Sequence, residues 1–167
     1  DQATWTREDL ALLGKPGASP PAPRPAPTGT LAAPPVLLAP IPHPEAYYAP
    51  LLGLREAAEP ALRAIRASGL RGRGGAGFPF HLKVEAARAA ASDQKYVVCN
   101  ADEGDPGAYS DKWLLEERPH AVLAGMMAIG AIIGADTGVL YIRGEYPESL
   151  AAIRAANQDL PAGAIRR

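Results

Sequence analysis

The sequence contains a single cysteine, Cys99, among its 167 residues. One cysteine excludes an internal disulfide, and it excludes a four-thiolate iron–sulfur cluster or zinc site built from this chain alone. A chain of this kind is typical of a reducing compartment, so we expect a cytoplasmic protein that is soluble or peripheral to a membrane complex. No histidine stands at a persuasive spacing from the thiol, and we interpret Cys99 as a small buried hydrophobic residue.

The sequence also lacks a surplus of charge and a long hydrophobic run. Seventeen basic and eighteen acidic residues give a formal net charge of -1, so we expect no general attraction to nucleic acid. The most apolar run, residues 121–135, is shorter than the roughly twenty residues that span a bilayer. We therefore expect no direct membrane insertion, and any anion site has to be local.

Prolines are concentrated near the N-terminus, where thirteen of the eighteen lie at or before Pro60. Because proline removes backbone donors and favours an extended conformation, residues 15–45 are predicted to be a linker or a strap lying on a partner. A short helix is predicted over residues 6–13. We divide the chain into an N-terminal arm, residues 1–50, and a domain, residues 51–167.

Helical and strand patterns alternate from residue 54 onward. Apolar residues at helical spacing predict a helix that ends at Gly69, and short β-branched runs predict buried strands. Strands joined by helical crossovers pair in parallel. The fold class is therefore α/β, an incomplete Rossmann-like parallel sheet covered by helices and preceded by the proline-rich arm. The predicted helices cover residues 54–69, 81–91, 111–117, 119–134 and 147–156, and the strands cover 95–99 and 138–143.

Four glycines fall within six residues in the segment Gly72-Arg-Gly-Gly-Ala-Gly77. The segment matches G-x-G-x-x-G, but a helix is predicted before it, whereas the dinucleotide fingerprint follows a strand. Glycines that free backbone amides, beside Arg71, Arg73 and Lys83, are typical of a phosphate cradle. A flexible loop with solvated arginines is the alternative. Phe78 fits core packing and stacking on a ligand ring about equally.

Polar side chains follow the first predicted strand. Ligands bind at the carboxyl ends of strands in open α/β sheets, which favours a site here. A solvated turn also fits, since these residue types form turns, and a divalent-metal site with oxygen ligands is a third interpretation. We predict no metal, because the glycine segment already supplies positive charge. The residues concerned are Asn100, Asp102, Glu103 and Asp105.

The two segments together, residues 68–79 with Lys83 and residues 99–109, closely resemble the flavin-bearing, NADH-oxidising subunit of respiratory complex I. The same module is found in NAD-linked soluble hydrogenases and NAD-dependent formate dehydrogenases. The resemblance covers about residues 54–156 and continues through Arg143-Gly-Glu-Tyr-Pro147. Two separate blocks of the sequence match the family in the same order, which chance alone would very rarely produce.

The resemblance implies that the chain binds FMN and NADH. It implies that Phe78 contacts the adenine side of NADH and that Glu103 is the catalytic residue, beside the cofactor and near the hydride-transfer zone. In this family NADH gives a hydride to FMN, which passes electrons singly to iron–sulfur clusters. The residues implied to hold the FMN phosphate and ribityl chain are Gly72, Arg73, Gly74, Gly75, Lys83, Asn100 and Asp102.

The function implied is the FMN- and NADH-binding module of a multisubunit NADH:acceptor oxidoreductase, an NADH dehydrogenase with an iron–sulfur electron-transfer subunit as partner. We expect the family's second flavin loop and its iron–sulfur clusters on a further C-terminal region or on partner subunits. The family usually has Thr-Gly-x-Lys-Trp where this chain has Phe80-His-Leu-Lys-Val84. The alternatives are a truncated paralogue that docks on a larger complex without competent flavin, and the related membrane-linked NADH-to-ferredoxin subunit.

Overall fold

The computed structural model describes residues 39–160 as an α/β structure, which confirms the predicted fold class. The helix predicted over residues 6–13 and most of the proline-rich linker lie outside the described residues, and the domain boundary at residue 50 stays a prediction. In chain order the described elements are α1 (Glu45–Tyr48), a 3-10 helix (Ala49–Leu51), α2 (Ala58–Ser68), α3 (Phe80–Ala89), β1 (Tyr96–Ala101), α4 (Ser110–Glu117), α5 (Pro119–Ile133), β2 (Thr137–Ile142) and α6 (Pro147–Gln158).

Local sequence signals set the ends of several helices. Gly69 ends α2 in the left-handed conformation, with φ 64°, as glycine commonly does at this position. Pro119 and Pro147 occupy the first turns of α5 and α6, where the missing N–H has no helical partner in any case. The start of α2 differs from the prediction, since residues 52–57 form turns and the helix begins only at Ala58.

The two strands pair directly and in parallel. Tyr96 lies opposite Thr137 at one end of the ladder and Ala101 lies opposite Ile142 at the other. Helices α4 and α5 form the crossover between the strands, the arrangement that parallel pairing requires. The predicted parallel sheet is therefore confirmed. Since both strands end at the same rung, the segments that follow them leave the sheet side by side.

Only one face of the sheet is covered within residues 39–160. Helix α5 packs against both strands on that face, where Ala101 is 3% exposed. On the other face Tyr96, Val98 and Tyr141 are 51%, 62% and 60% exposed. The prediction of buried strands holds for the first face and is wrong for the second, because a strand buried on both sides needs a second covering layer.

Two apolar clusters hold the helices of the described structure together. The first joins α2, α3 and the end of α5, and the second joins α4, the start of α5 and α6. Helix α5 contributes to both, so it connects the two halves of the described structure. The buried members are Leu62, Val84, Ile132, Ile133 and Ala135 in the first cluster, and Ala101, Leu115, Leu123, Ile153 and Ala156 in the second.

A buried hydrogen bond attaches α1 to the start of α5. Tyr48 is 4% exposed, and its hydroxyl lies 2.8 Å from Nδ1 of His120. The two rings also meet edge to face, with their centroids 5.8 Å apart. Burial raises the pKa of Tyr48 to about 12, so the phenol is neutral and keeps its proton at ordinary pH.

Tyr48→Phe is expected to lower the free energy of unfolding by about 1 kcal/mol, because it removes this hydrogen bond and leaves the His120 nitrogen unpaired. Because the pKa of Tyr48 is higher in the folded chain than its ordinary value, the stability it provides is present below about pH 10 and is lost as the pH rises toward 12. Urea unfolding at pH 7 and across that alkaline range measures both effects. Tyr47→Phe is the matched control, and equal unfolding midpoints for the two variants would contradict the assignment.

Candidate functional site

The glycine loop, residues 69–79, links α2 to α3 and is closed by its own hydrogen bonds. The amide of Gly72 donates to the carbonyl of Phe78 at 2.8 Å. The guanidinium of Arg71 donates to the carbonyl of Gly77, also at 2.8 Å. Arg71 therefore stabilises the loop itself, and Arg73 is the arginine that projects from the exposed tip.

The tip of the glycine loop presents unpaired backbone amides. Gly75 and Gly77 have φ values of 101° and 59°, in the region that favours glycine. Within residues 39–160 no group accepts a hydrogen bond from the amides of residues 73–77. A Cβ placed on Gly74 would meet no atom within 4 Å. Several amides beside open space are the arrangement that binds an anion.

Phe78 and Lys83 lie together where the glycine loop enters α3. The Phe78 side chain is 44% exposed, which rules out the core-packing interpretation and leaves stacking on a ligand ring as a prediction. The Nζ of Lys83 lies 5.6 Å from the centroid of the Phe78 ring, a distance at which a cation is attracted by the ring face. Lys83 forms no ion pair with a carboxylate in the described part of the chain, so its charge is available to an anion.

The acidic loop, residues 102–109, begins directly after β1. Asn100 is still in the strand, and its side-chain oxygen accepts a hydrogen bond from the amide of Asp102 at 3.1 Å. From the end of the neighbouring strand, Arg143 donates to the carbonyl of Glu103 at 2.9 Å. Its Nε lies 3.8 Å from a carboxylate oxygen of Asp102. The acidic loop is thus held by the bond between Asn100 and Asp102 and by Arg143, which follows β2.

The Glu103 carboxylate is directed at the start of α4. It accepts hydrogen bonds of 2.8 to 3.3 Å from the hydroxyl and amide of Ser110 and from the amides of Asp111 and Lys112. These amides have no partner inside the helix, so the carboxylate caps α4. Burial acts to raise the pKa of Glu103, but these hydrogen bonds outweigh it and the pKa is lowered. Glu103 is therefore ionised at neutral pH.

The predicted site residues fall into two groups. Asn100, Asp102 and Glu103 meet at the end of β1, and Phe78 and Lys83 meet beside the glycine loop. No hydrogen bond or ion pair between the glycine loop and the acidic loop is present among residues 39–160. The contacts of Arg143 were not predicted from the sequence. The signal that could have revealed them is the parallel pairing, which puts the residue after β2 beside the residue after β1.

Other types of site find little support in the described structure. Within it, no group of three or more His, Cys, Asp or Glu side chains is placed to hold a metal ion. Burial, followed by the charge of Asp111, raises the pKa of Cys99, which disfavours the thiolate that a nucleophile needs. None of the helices between residues 39 and 160 has the length and apolar character required to cross a membrane.

Glu103→Gln is expected to lower the free energy of unfolding by about 1 kcal/mol, since an amide caps the start of α4 less well than a carboxylate does. Because the pKa of Glu103 is lowered in the folded chain, its contribution is present above the ordinary carboxyl pKa and is lost as the pH falls through the folded-state pKa. The difference between wild type and variant should therefore shrink on acidification in urea unfolding series. Glu117→Gln, at the exposed last turn of the same helix, is the control; an equal loss there would refute the cap.

The comparisons with known proteins agree on one family. A family model described as the Nuo51 FMN-binding domain matches residues 65–166. The NADP-reducing hydrogenase subunit HndC of Solidesulfovibrio fructosivorans is 50% identical over 95 residues, which cover 57% of this chain and 19% of that protein. The NAD-reducing hydrogenase HoxS subunit alpha of Cupriavidus necator is 50% identical over 88 residues, covering 53% of this chain and 15% of that protein.

More distant relatives extend the likeness. The mitochondrial NADH-ubiquinone oxidoreductase 51 kDa subunit of Aspergillus niger is 41% identical over 106 residues, or 60% of this chain and 21% of that protein. The crystal structure of an NAD+-reducing NiFe-hydrogenase in the air-oxidised state matches with a TM-score of 0.63 and 39% identity, over 70% of this chain and 20% of the hydrogenase chain. This chain spans about a fifth of the length of most of these relatives.

Proposed function

Since the chain belongs to the Nuo51 FMN-binding domain family, we propose that it is the FMN- and NADH-binding module of a multisubunit NADH:acceptor oxidoreductase. The observation that carries this proposal is the glycine loop, where the amides of residues 73–77 are unpaired among the described residues and lie beside open space. Such a loop binds the phosphate of a nucleotide without a metal. The whole activity is proposed for an assembly of which this chain is one part.

The residues present fit an FMN. The glycine amides would hold its phosphate, with the side chains of Arg73 and Lys83 supplying positive charge. Asn100 and Asp102, at the carboxyl end of β1, offer an amide and a carboxylate to the ribityl hydroxyls. When bound, FMN supplies the hydride acceptor for NADH and the means of releasing electrons one at a time to iron–sulfur clusters.

Phe78 and Glu103 are proposed to act on NADH. The exposed Phe78 ring offers an apolar surface for the adenine side of the dinucleotide. Glu103 is ionised at neutral pH, so it is not suited to donate a proton. We assign it instead an electrostatic effect on hydride transfer, exerted from the loop that it ties to α4.

The electron acceptor lies outside this chain in our proposal. One cysteine does not provide the four thiolates of an iron–sulfur cluster, so the clusters belong to a further region or to a partner subunit. The same cysteine content supports a cytoplasmic location. The docking-subunit alternative predicts that the chain binds no flavin, which makes flavin binding the experiment that separates the two functions.

The purified chain is expected to bind FMN, to show the visible absorbance of oxidised flavin and to bleach when NADH is added without oxygen. Gly74→Ala should weaken FMN binding at least about tenfold, because a methyl group there blocks approach of the phosphate to the amides. The substitution should leave folding intact, since no atom lies within 4 Å of the new Cβ and φ is not positive. Quenching of flavin fluorescence gives the dissociation constants.

Three further variants complete that test. Lys83→Ala should also weaken FMN binding, since it removes a phosphate partner, whereas Arg63→Ala on the exposed side of α2 should not. Gly125→Ala, which also meets no atom within 4 Å, is the glycine control. If wild type binds no FMN, the docking-subunit alternative is favoured; if Gly74→Ala and Lys83→Ala bind FMN like their controls, the glycine loop is not the phosphate site.

Glu103→Gln is expected to slow the reduction of bound FMN by NADH about tenfold, corresponding to about 1.4 kcal/mol of transition-state stabilisation. The amount of bound FMN should change much less, because the phosphate contacts lie on the other loop. Anaerobic stopped-flow reduction, monitored by loss of flavin absorbance, provides the rate. Reduction as fast as in wild type, at equal flavin content, would remove Glu103 from the reaction.

A further inference from the structure

We propose that Arg143 is a positioning residue for the flavin site, which holds the acidic loop in the conformation that binds ligand. The inference rests on the proposed function, and it concerns a residue outside the glycine and acidic loops. Arg143 is the first residue after β2, and the strands end with Ala101 opposite Ile142. Parallel pairing therefore puts Arg143 next to Asp102, where the acidic loop leaves the sheet.

Arg143 contacts the acidic loop at two points. One terminal nitrogen of its guanidinium donates to the carbonyl of Glu103 at 2.9 Å, and its Nε lies 3.8 Å from a carboxylate oxygen of Asp102. The planar guanidinium presents these nitrogens in a fixed fork, so both contacts are made from one side-chain position. A lysine has a single ammonium group and would keep the charge without this fixed geometry.

The guanidinium is itself held on the side of β2. It donates to the carboxylate of Glu145 at 3.3 and 3.4 Å, and its central carbon lies 5.9 Å from the centroid of the Tyr146 ring. The arginine is therefore held by the segment that joins β2 to α6.

The two neighbouring carboxylates of the acidic loop are held by different partners. Glu103 is turned toward the amides of α4, and Asp102 is turned toward Arg143. The main-chain carbonyl of Glu103 is bound by the same arginine. The Asp102 side chain is 46% exposed, so a ligand can still reach it. Arg143 would thus act on FMN through Asp102 and the loop main chain, without touching the flavin itself.

Arg143→Gln in the whole chain is expected to raise the dissociation constant for FMN about tenfold, the effect of losing a charge-assisted hydrogen bond. Arg143→Lys should recover part of this loss. Arg154→Gln, an exposed arginine on α6, is the matched control and should bind FMN like wild type. Fluorescence titration with FMN gives the constants, and thermal unfolding without FMN shows whether each variant is folded.

A double-mutant cycle separates positioning from general destabilisation. If Arg143 acts through Asp102, Arg143→Gln should cost much less FMN affinity in an Asp102→Asn background than in wild type. Additive losses, or an Arg143→Gln variant that binds like Arg154→Gln, overturn the inference while the proposed function stands. Failure of the wild-type chain to bind FMN overturns the proposed function, and this inference with it.

Discussion

Parallel pairing of β1 with β2 is the constraint on which the candidate site depends. Because the strands run in the same direction and end at the same rung, the acidic loop and Arg143 emerge together at one edge of the sheet. An antiparallel pair would put them at opposite ends. The crossover that makes the pairing possible, α4 followed by α5, also supplies the amides that hold Glu103. Parallel pairing thus gives the acidic loop two supports, Arg143 after β2 and the first amides of α4.

The charges at the site are divided between bound and available groups. In the acidic loop, the Glu103 carboxylate accepts hydrogen bonds from the first amides of α4, and Asp102 forms an ion pair with Arg143. In the glycine loop, Arg71 donates to a carbonyl, whereas Lys83, in the first turn of α3, contacts only an aromatic ring among the described residues. The available positive charge and the unpaired amides therefore lie in the glycine loop and in the first turn of α3, which follows it. This distribution suits a ligand whose phosphate binds there and whose polar chain extends away.

Sequence reasoning predicted the elements well where a local signal exists. Gly69 and Pro119 mark helix ends through backbone conformations that depend on their own residue type. The same reasoning placed Asn100, Asp102 and Glu103 at a strand end, and the structure has them there. It did not anticipate that Glu103 caps α4 or that Arg143 bonds the loop, because both contacts depend on how elements distant in sequence pack. The exposure of Val98 was missed for a related reason, since the covering of a strand face depends on a separate layer.

The glycine loop and the acidic loop are held by separate sets of contacts in the described structure. No ion pair joins residues 69–79 to residues 102–109 in the described structure. Each loop is instead stabilised by its own neighbours, through Arg71 in one case and Arg143 in the other. Their conformations therefore do not require a ligand, and neither loop neutralises the other. In our proposal one FMN contacts both loops, and because each loop is already held by its own neighbours, binding does not first have to break a bond between them.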